Sequence, residues 1–117
     1  MNEVEKQYMV LITSTTIGDG AAELGEKLMS NYLIALSEGE NLPKYVFLIN
    51  SGVQLAKVGN KTVDTLKTLA DKGVTILACG TCLDYYQIKD HLAIGQVSNI
   101  YTLRDIMADS DNVITLG

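Results

Sequence analysis

Positive charge is what this chain has least of: nine lysines and arginines face fourteen aspartates and glutamates, for a formal net charge of −5. Nucleic-acid binding draws its affinity from Lys and Arg clustered on phosphates, and no such cluster occurs, so nucleic acid is excluded as a partner class. Long apolar runs are missing too. None approaches the ~18 residues that span a bilayer, and the charged Met1–Gln7 lacks a secretory apolar core, so a cytoplasmic protein with no membrane partner is expected. Proline occurs once, while 47% of residues are hydrophobic and 20% charged. That balance rules out disorder and fits one folded domain over residues 1–117. Histidine also occurs once, as His91. With Cys79 and Cys82 it makes three soft donors where a structural zinc takes four ligands, so a zinc site would close only between subunits. No metal or other cofactor is expected. The two cysteines are too few for a disulfide scaffold, and their C-x-x-C spacing points to a catalytic, redox or metal-binding pair.

Both cysteines fall in one stretch, VTILACGTCLDYYQI (Val74–Ile88). An apolar β-type run ends at Cys79, Gly80 permits a sharp turn, and a helix is expected from Thr81. Thr81 with Asp84 three residues on approximates a capping box, which makes Asp84 a cap rather than a general base. Both sulfurs would then lie beside a helix N-terminus, whose dipole favours thiolate, the nucleophilic and sulfur-accepting form. The competing reading is two small, inert core residues. One of Tyr85 and Tyr86 reads as packing, and His91 as a solvated residue at a helix end.

Elsewhere the chain alternates. Tyr8–Thr13 (YMVLIT) has the unbroken apolar pattern of a strand buried on both faces. A polar loop, Ser14–Gly20, precedes a helix over Ala21–Glu38, with Leu24, Leu28, Met29, Tyr32, Leu33 and Leu36 at helical spacing and Gly39 at its end. Pro43 marks a turn before a second buried strand, Tyr45–Ile49, closed by Asn50, Ser51 and Gly52. Val53–Gly59 reads as a loop, and Asn60 or Thr62 can cap a helix to about Lys72 that buries Val63, Leu66, Leu69 and Ala70. Gly73 ends it before the Val74 strand. After a helix from Cys82 to about His91 come a short strand at Gln96–Ser98, a helix capped by Thr102 and Asp105, and a last strand, Val113–Leu116.

This order predicts a three-layer α/β/α sandwich with a mainly parallel sheet of about five strands and right-handed crossovers. Sites in such sheets form beyond the carboxyl ends of the strands. Ser14, Thr15, Asn50, Ser51, Gly52, Cys79 and Gly80 all follow strand ends, so a shallow pocket holding a thiol is expected, with the Gly52 and Gly80 amides available to an anion.

Four stretches, ITSTTIGDGAAELGEKLM, LPKYVFLINSGVQL, KGVTILACGTCLDYY and AIGQVSNIYTL, resemble the DsrE/DsrF-like family and, within it, the C-terminal domain of YedF-type sulfurtransferase-like proteins of selenium metabolism. The resemblance implies a sulfur (persulfide) or selenium carrier with the family's three-layer fold. By its place directly after a strand, Cys79 resembles the cysteine that carries a persulfide in TusD-like sulfur-relay subunits. Cys82, absent from some of those relatives, would resolve a persulfide or selenide on Cys79 as a disulfide. The resemblance further implies a homo-oligomer and exchange with a TusA-like or other donor and acceptor protein. YedF-type chains generally begin with a TusA-like domain, whereas only Met1–Gln7 precede the first strand here, so the expectation is either an isolated domain of a longer protein or a TusA-like partner on a separate chain.

Three other functions compete. A thioredoxin-type thiol–disulfide oxidoreductase fits C-x-x-C at a helix start, but the long first helix does not frame the motif as that fold does, and Pro43 is poorly placed as its companion proline. A flavin or phosphate site in Ser14–Gly20 lacks the G-x-G-x-x-G fingerprint. A non-catalytic assembly module would show apolar residues exposed on the monomer.

Overall fold

The structure is a computed structural model that describes residues 7–117. The charged segment read as lacking a secretory core, apart from Gln7, lies outside the described residues. The sheet holds five parallel strands, β1 (Tyr8–Ile12), β2 (Tyr45–Leu48), β3 (Thr75–Cys79), β4 (Gln96–Ser98) and β5 (Asn112–Leu116), in the order β4-β3-β2-β1-β5. Between them run α1 (Ala22–Glu38), α2 (Val63–Asp71), α3 (Gly80–Tyr85) and α4 (Ile100–Asp109), with 3₁₀ turns over Asn50–Ala56 and Lys89–His91. This is the expected α/β/α sandwich.

The strand order decides which helix covers which face. From β1 to β4 the chain always steps in one direction across the sheet, and right-handed crossovers then place α1, α2 and α3 on one face. The step from β4 to β5 runs back across the whole sheet, which puts α4 on the other. The two cores match this division. On one face Tyr8, Val10 and Ile12 of β1 join Met29, Leu33, Leu66, Leu69 and Leu83 from the three helices. On the opposite face the alternate residues, Met9 and Leu11, join Phe47, Leu77, Cys79, Leu103 and Ile106. An unbroken apolar run is the signature of such double-sided burial, because each strand must supply both cores.

Several local expectations shift. In α1 the row facing the sheet is Gly25, Met29, Leu33 and Ser37, spaced by four, so Leu24 and Leu28 turn to solvent. The expected loop Val53–Gly59 begins inside a 3₁₀ turn that buries Val53, Leu55 and Ala56. The helix after the cysteines is interrupted: α3 stops at Tyr85, and Gln87 takes a left-handed conformation (φ 58°) before the Lys89–His91 turn. Asn99, not Thr102, caps α4, its Oδ1 accepting the Thr102 N–H at 3.0 Å. The pairing of β4 with β3 sends the chain out at Asn99 with extended backbone, which fixes the helix start earlier than the Thr102–Asp105 spacing implied. No helix among the described residues is long and apolar enough to cross a membrane.

Candidate thiol site

At the carboxyl end of the sheet, β3 and β4 lie side by side but send their chains to opposite faces, β3 into α3 and β4 into α4. Such a parting opens a crevice. Cys79 pairs in register with Ser98 at this point. Gly80 allows the close approach: a Cβ there would stand 3.1 Å from Val97 Cγ1 and 3.3 Å from the Ser98 carbonyl oxygen.

Cys79 is the N-cap of α3, which begins at Gly80, so Thr81 is the second residue of the helix and makes no cap. The capping box expected from Thr81 and Asp84 does not form. Asp84 instead meets Lys89, with N–O distances of 3.1 and 3.3 Å in an exposed pair. Strand exit sets the backbone at Cys79, and this moves the helix start one residue ahead of the hydroxyl.

The two thiols have different surroundings. Cys79 is 5% exposed and packs in the core on the α4 face. Cys82 is half-buried, packs against both cores, and opens on a pocket of about 380 Å³ lined with Asn50, Thr81, Tyr85 and Tyr86. The Asn50 backbone N–H donates to Cys82 Sγ at 3.1 Å. Burial pushes the Cys82 thiol above its ordinary pKa and hydrogen bonding with Cys79 pushes the same way, while the Asn50 N–H opposes both. The expectation of a thiol made acidic by a helix N-terminus is therefore reversed: desolvation outweighs the amide contact, and α3 is only six residues long.

Asn50 is the residue that sequence reasoning undervalued. It follows β2 with φ 50°, a left-handed conformation that Asn tolerates better than most side chains. That conformation aims its N–H at the sulfur, while its Oδ1 accepts the Ser51 N–H at 2.8 Å and the Tyr86 hydroxyl at 3.2 Å. Tyr86 thus holds the residue that contacts Cys82. The available signal was an Asn-Ser-Gly exit from a buried strand, a composition that favours positive φ.

The remaining expected pocket residues do not gather around the thiols. Thr15 and Ser51 line a separate polar cleft of about 660 Å³ with Glu26, Gln54, Asn60 and Lys61. Ser14 is engaged locally: its hydroxyl lies 3.1 Å from that of Thr16 and accepts the Thr16 N–H. Two of the polar groups of the loop considered for flavin, Ser14 and Thr16, thus bind each other. Gly52 is buried, and its N–H donates to the Ile49 carbonyl at 2.9 Å, so it is not free to meet an anion. Among the described residues no three His, Cys, Asp or Glu side chains are grouped to hold a metal.

A family model described as "DsrE/DsrF-like family" matches residues 6–116. The chain belongs to the DsrE/DsrF-like family. Solved structures agree on the fold of this DsrE-like chain. The ychN protein from E. coli superposes with a TM-score of 0.75 at 22% identity, over 95% of this chain and 99% of that one. MTH1491 from Methanobacterium thermoautotrophicum gives 0.68 at 17% identity, over 94% and 98%. BT1422 from Bacteroides thetaiotaomicron gives 0.65 at 11% identity, over 94% and 95%. No curated protein matches the DsrE-like chain.

Proposed function

We propose that this DsrE-like protein is a sulfur carrier that holds sulfane sulfur as a persulfide at the Cys79/Cys82 pair, with Cys82 as the accepting thiol. The observation that carries the reading is the difference between the two sulfurs: Cys82 opens on a pocket and receives a backbone N–H, whereas Cys79 stands behind it in the core. This exchanges the roles implied by the resemblance to TusD-like subunits, in which the strand-end cysteine is the carrier. A donor's sulfur must reach the accepting sulfur in line, which favours the accessible one.

In this reading the chain is a YedF-type module of the cytoplasm, its pocket receiving sulfur or selenium from a TusA-like or other carrier protein. Exposed Leu24, Leu28 and Ile34 on α1 favour a homo-oligomer in addition. An assembly role alone would leave the Asn50 contact to Cys82 without a purpose. Thioredoxin-type exchange draws support from the same C-x-x-C, but the strand order around it is that of the DsrE-like fold.

Intact-mass spectrometry after exposure to a persulfide donor tests the proposal on the native chain, Cys79→Ser and Cys82→Ser. One added sulfur retained on Cys79→Ser and absent from Cys82→Ser is expected, with the native chain carrying the same sulfur at the earliest times. Uptake that disappears only in Cys79→Ser returns the carrier role to the strand-end cysteine, and uptake by none of the three refutes sulfur carriage.

A further inference from the structure

Cys79 is a thiol nearly closed off from solvent, at 5% exposure. Its side chain is buried on the α4 face among Leu77, Leu103 and Ile106, and the chain has no thiol besides Cys82 for it to meet. The helix start brings the two together. Cys79 is the N-cap of α3 and Cys82 is its third residue, the two positions whose side chains turn toward each other across the first turn. Cys82 packs against the core cluster that holds Cys79, and neither thiol is in a disulfide. Cys82 Sγ therefore stands between an internal thiol on one side and the pocket on the other.

We propose that Cys79 is an internal resolving thiol, so that a persulfide on Cys82 discharges within the chain, releasing sulfide into the pocket and leaving a Cys79–Cys82 disulfide. This rests on the reading of Cys82 as the carrier. The Cys79 sulfur attacks Cys82 Sγ, the bond between Sγ and the outer sulfur breaks, and the electron pair leaves with that outer sulfur. The Cys79 proton accompanies it as HS⁻ is released from the persulfide anion. One sulfane sulfur is reduced to sulfide, and two cysteine sulfurs are oxidised to a disulfide, so no outside oxidant enters. The outer sulfur faces the pocket bounded by Asn50, Thr81, Tyr85 and Tyr86, which gives the leaving group its exit.

The disulfide can be reopened only from the Cys82 side. A small thiol attacks Cys82 Sγ, Cys79 leaves as thiolate and takes up a proton, and a second small thiol releases the mixed disulfide. Two thiols become one disulfide, and the pair returns to its starting state. The protein would thereby act as a thiol-dependent persulfide reductase producing sulfide, an activity distinct from passing intact sulfane sulfur to an acceptor.

The test loads the fully reduced native protein, Cys79→Ala, Cys79→Ser and Cys82→Ser with inorganic polysulfide, removes excess reagent and any free thiol, and follows intact mass and released sulfide together. Circular dichroism and urea melts establish that each variant is folded, and the alanine variant guards against a hydroxyl buried at residue 79. The native chain is expected to release one sulfide and to end two hydrogens lighter than its reduced form. Cys79→Ala is expected to keep the added sulfur and to release sulfide only after a dithiol is supplied. A native chain that keeps its added sulfur as long as Cys79→Ala does overturns the inference and leaves sulfur carriage by Cys82 standing. Sulfur found on Cys82→Ser, or on no chain at all, overturns the reading of Cys82 as carrier and the inference with it.

Discussion

Replacing Gly52 by alanine tests how tightly the carboxyl ends of β1 and β2 are joined beneath the thiol site. A Cβ at Gly52 would overlap the Ile12 carbonyl oxygen and lie 3.0 Å from the Ile12 carbonyl carbon and 3.3 Å from the Ser14 nitrogen. All of these are backbone atoms, so no side chain can turn aside. The same Ile12 oxygen accepts the Ile49 N–H at 3.0 Å, and the Gly52 N–H closes the following turn on the Ile49 carbonyl at 2.9 Å. Forcing a methyl group into a packed site costs about 1–3 kcal/mol. Weakening the buried Ile49–Ile12 bond adds about 0.5–1.5 kcal/mol. Gly52→Ala should therefore destabilise the protein by about 2–4 kcal/mol, a large part of the 5–15 kcal/mol typical of a domain. Urea titration should show the midpoint falling at unchanged m, and a thermal melt should drop by about 8–15 °C. A loss below about 0.5 kcal/mol would show that the strand ends separate freely, and the close approach assigned to Gly52 would be wrong.

Asn50 offers a second test of backbone geometry: Asn50→Gly should be more stable than Asn50→Ala by about 1–2 kcal/mol, because alanine alone suffers at φ 50° while both lose the Oδ1 contacts. Equal urea midpoints for the two variants would remove strain from the account. Raised by burial, the Cys82 thiol stays protonated in the folded chain at pH values where the unfolded chain has ionised. The folded state then holds more protons, so the stability linked to Cys82 is complete below the ordinary thiol range and is lost as pH climbs through the raised value. Native protein should lose more stability than Cys82→Ser across that alkaline window, with the raised Tyr8 and Tyr32 common to both. A pH-independent difference between them would contradict the desolvated thiol.

What the sequence disclosed follows from how far each signal depends on neighbours. The unbroken run Tyr8–Ile12 needed no partner to be legible, since burial on both faces writes itself into every position. Gln96–Ser98 was legible as a strand, although three residues carry little periodicity. Helix starts were harder to read, because Thr81 and Thr102 hold the right spacing but the preceding strand ends select Cys79 and Asn99. Leu24 and Leu28 shared helical spacing with Met29 and Leu33, and only the docking of Gly25 against Thr16, whose Cβ leaves no room for a larger residue, decides which side faces the sheet. The pair Cys79/Cys82 was singled out correctly as adjoining a strand-to-helix turn, but its ranking depends on which core each sulfur enters. Residues following different strands were expected to share one pocket, whereas Thr15 and Ser51 face another cleft.

The single-helix cover of the second face bears on how the chain matures. Cys79 is enclosed on that face by Leu103 and Ile106 of α4, and α4 leads directly into β5, which pairs with β1 from the far end of the sequence. Ordering so distant a pair requires closing a loop of nearly the whole polypeptide, a late and comparatively slow event. During synthesis the three helices of the other face can assemble on β1–β3 while the strand-end sulfur is still wet and open to oxidants. Its seclusion is thus an outcome of finishing the fold, and a newly made chain exposes for a time a thiol that the mature protein encloses.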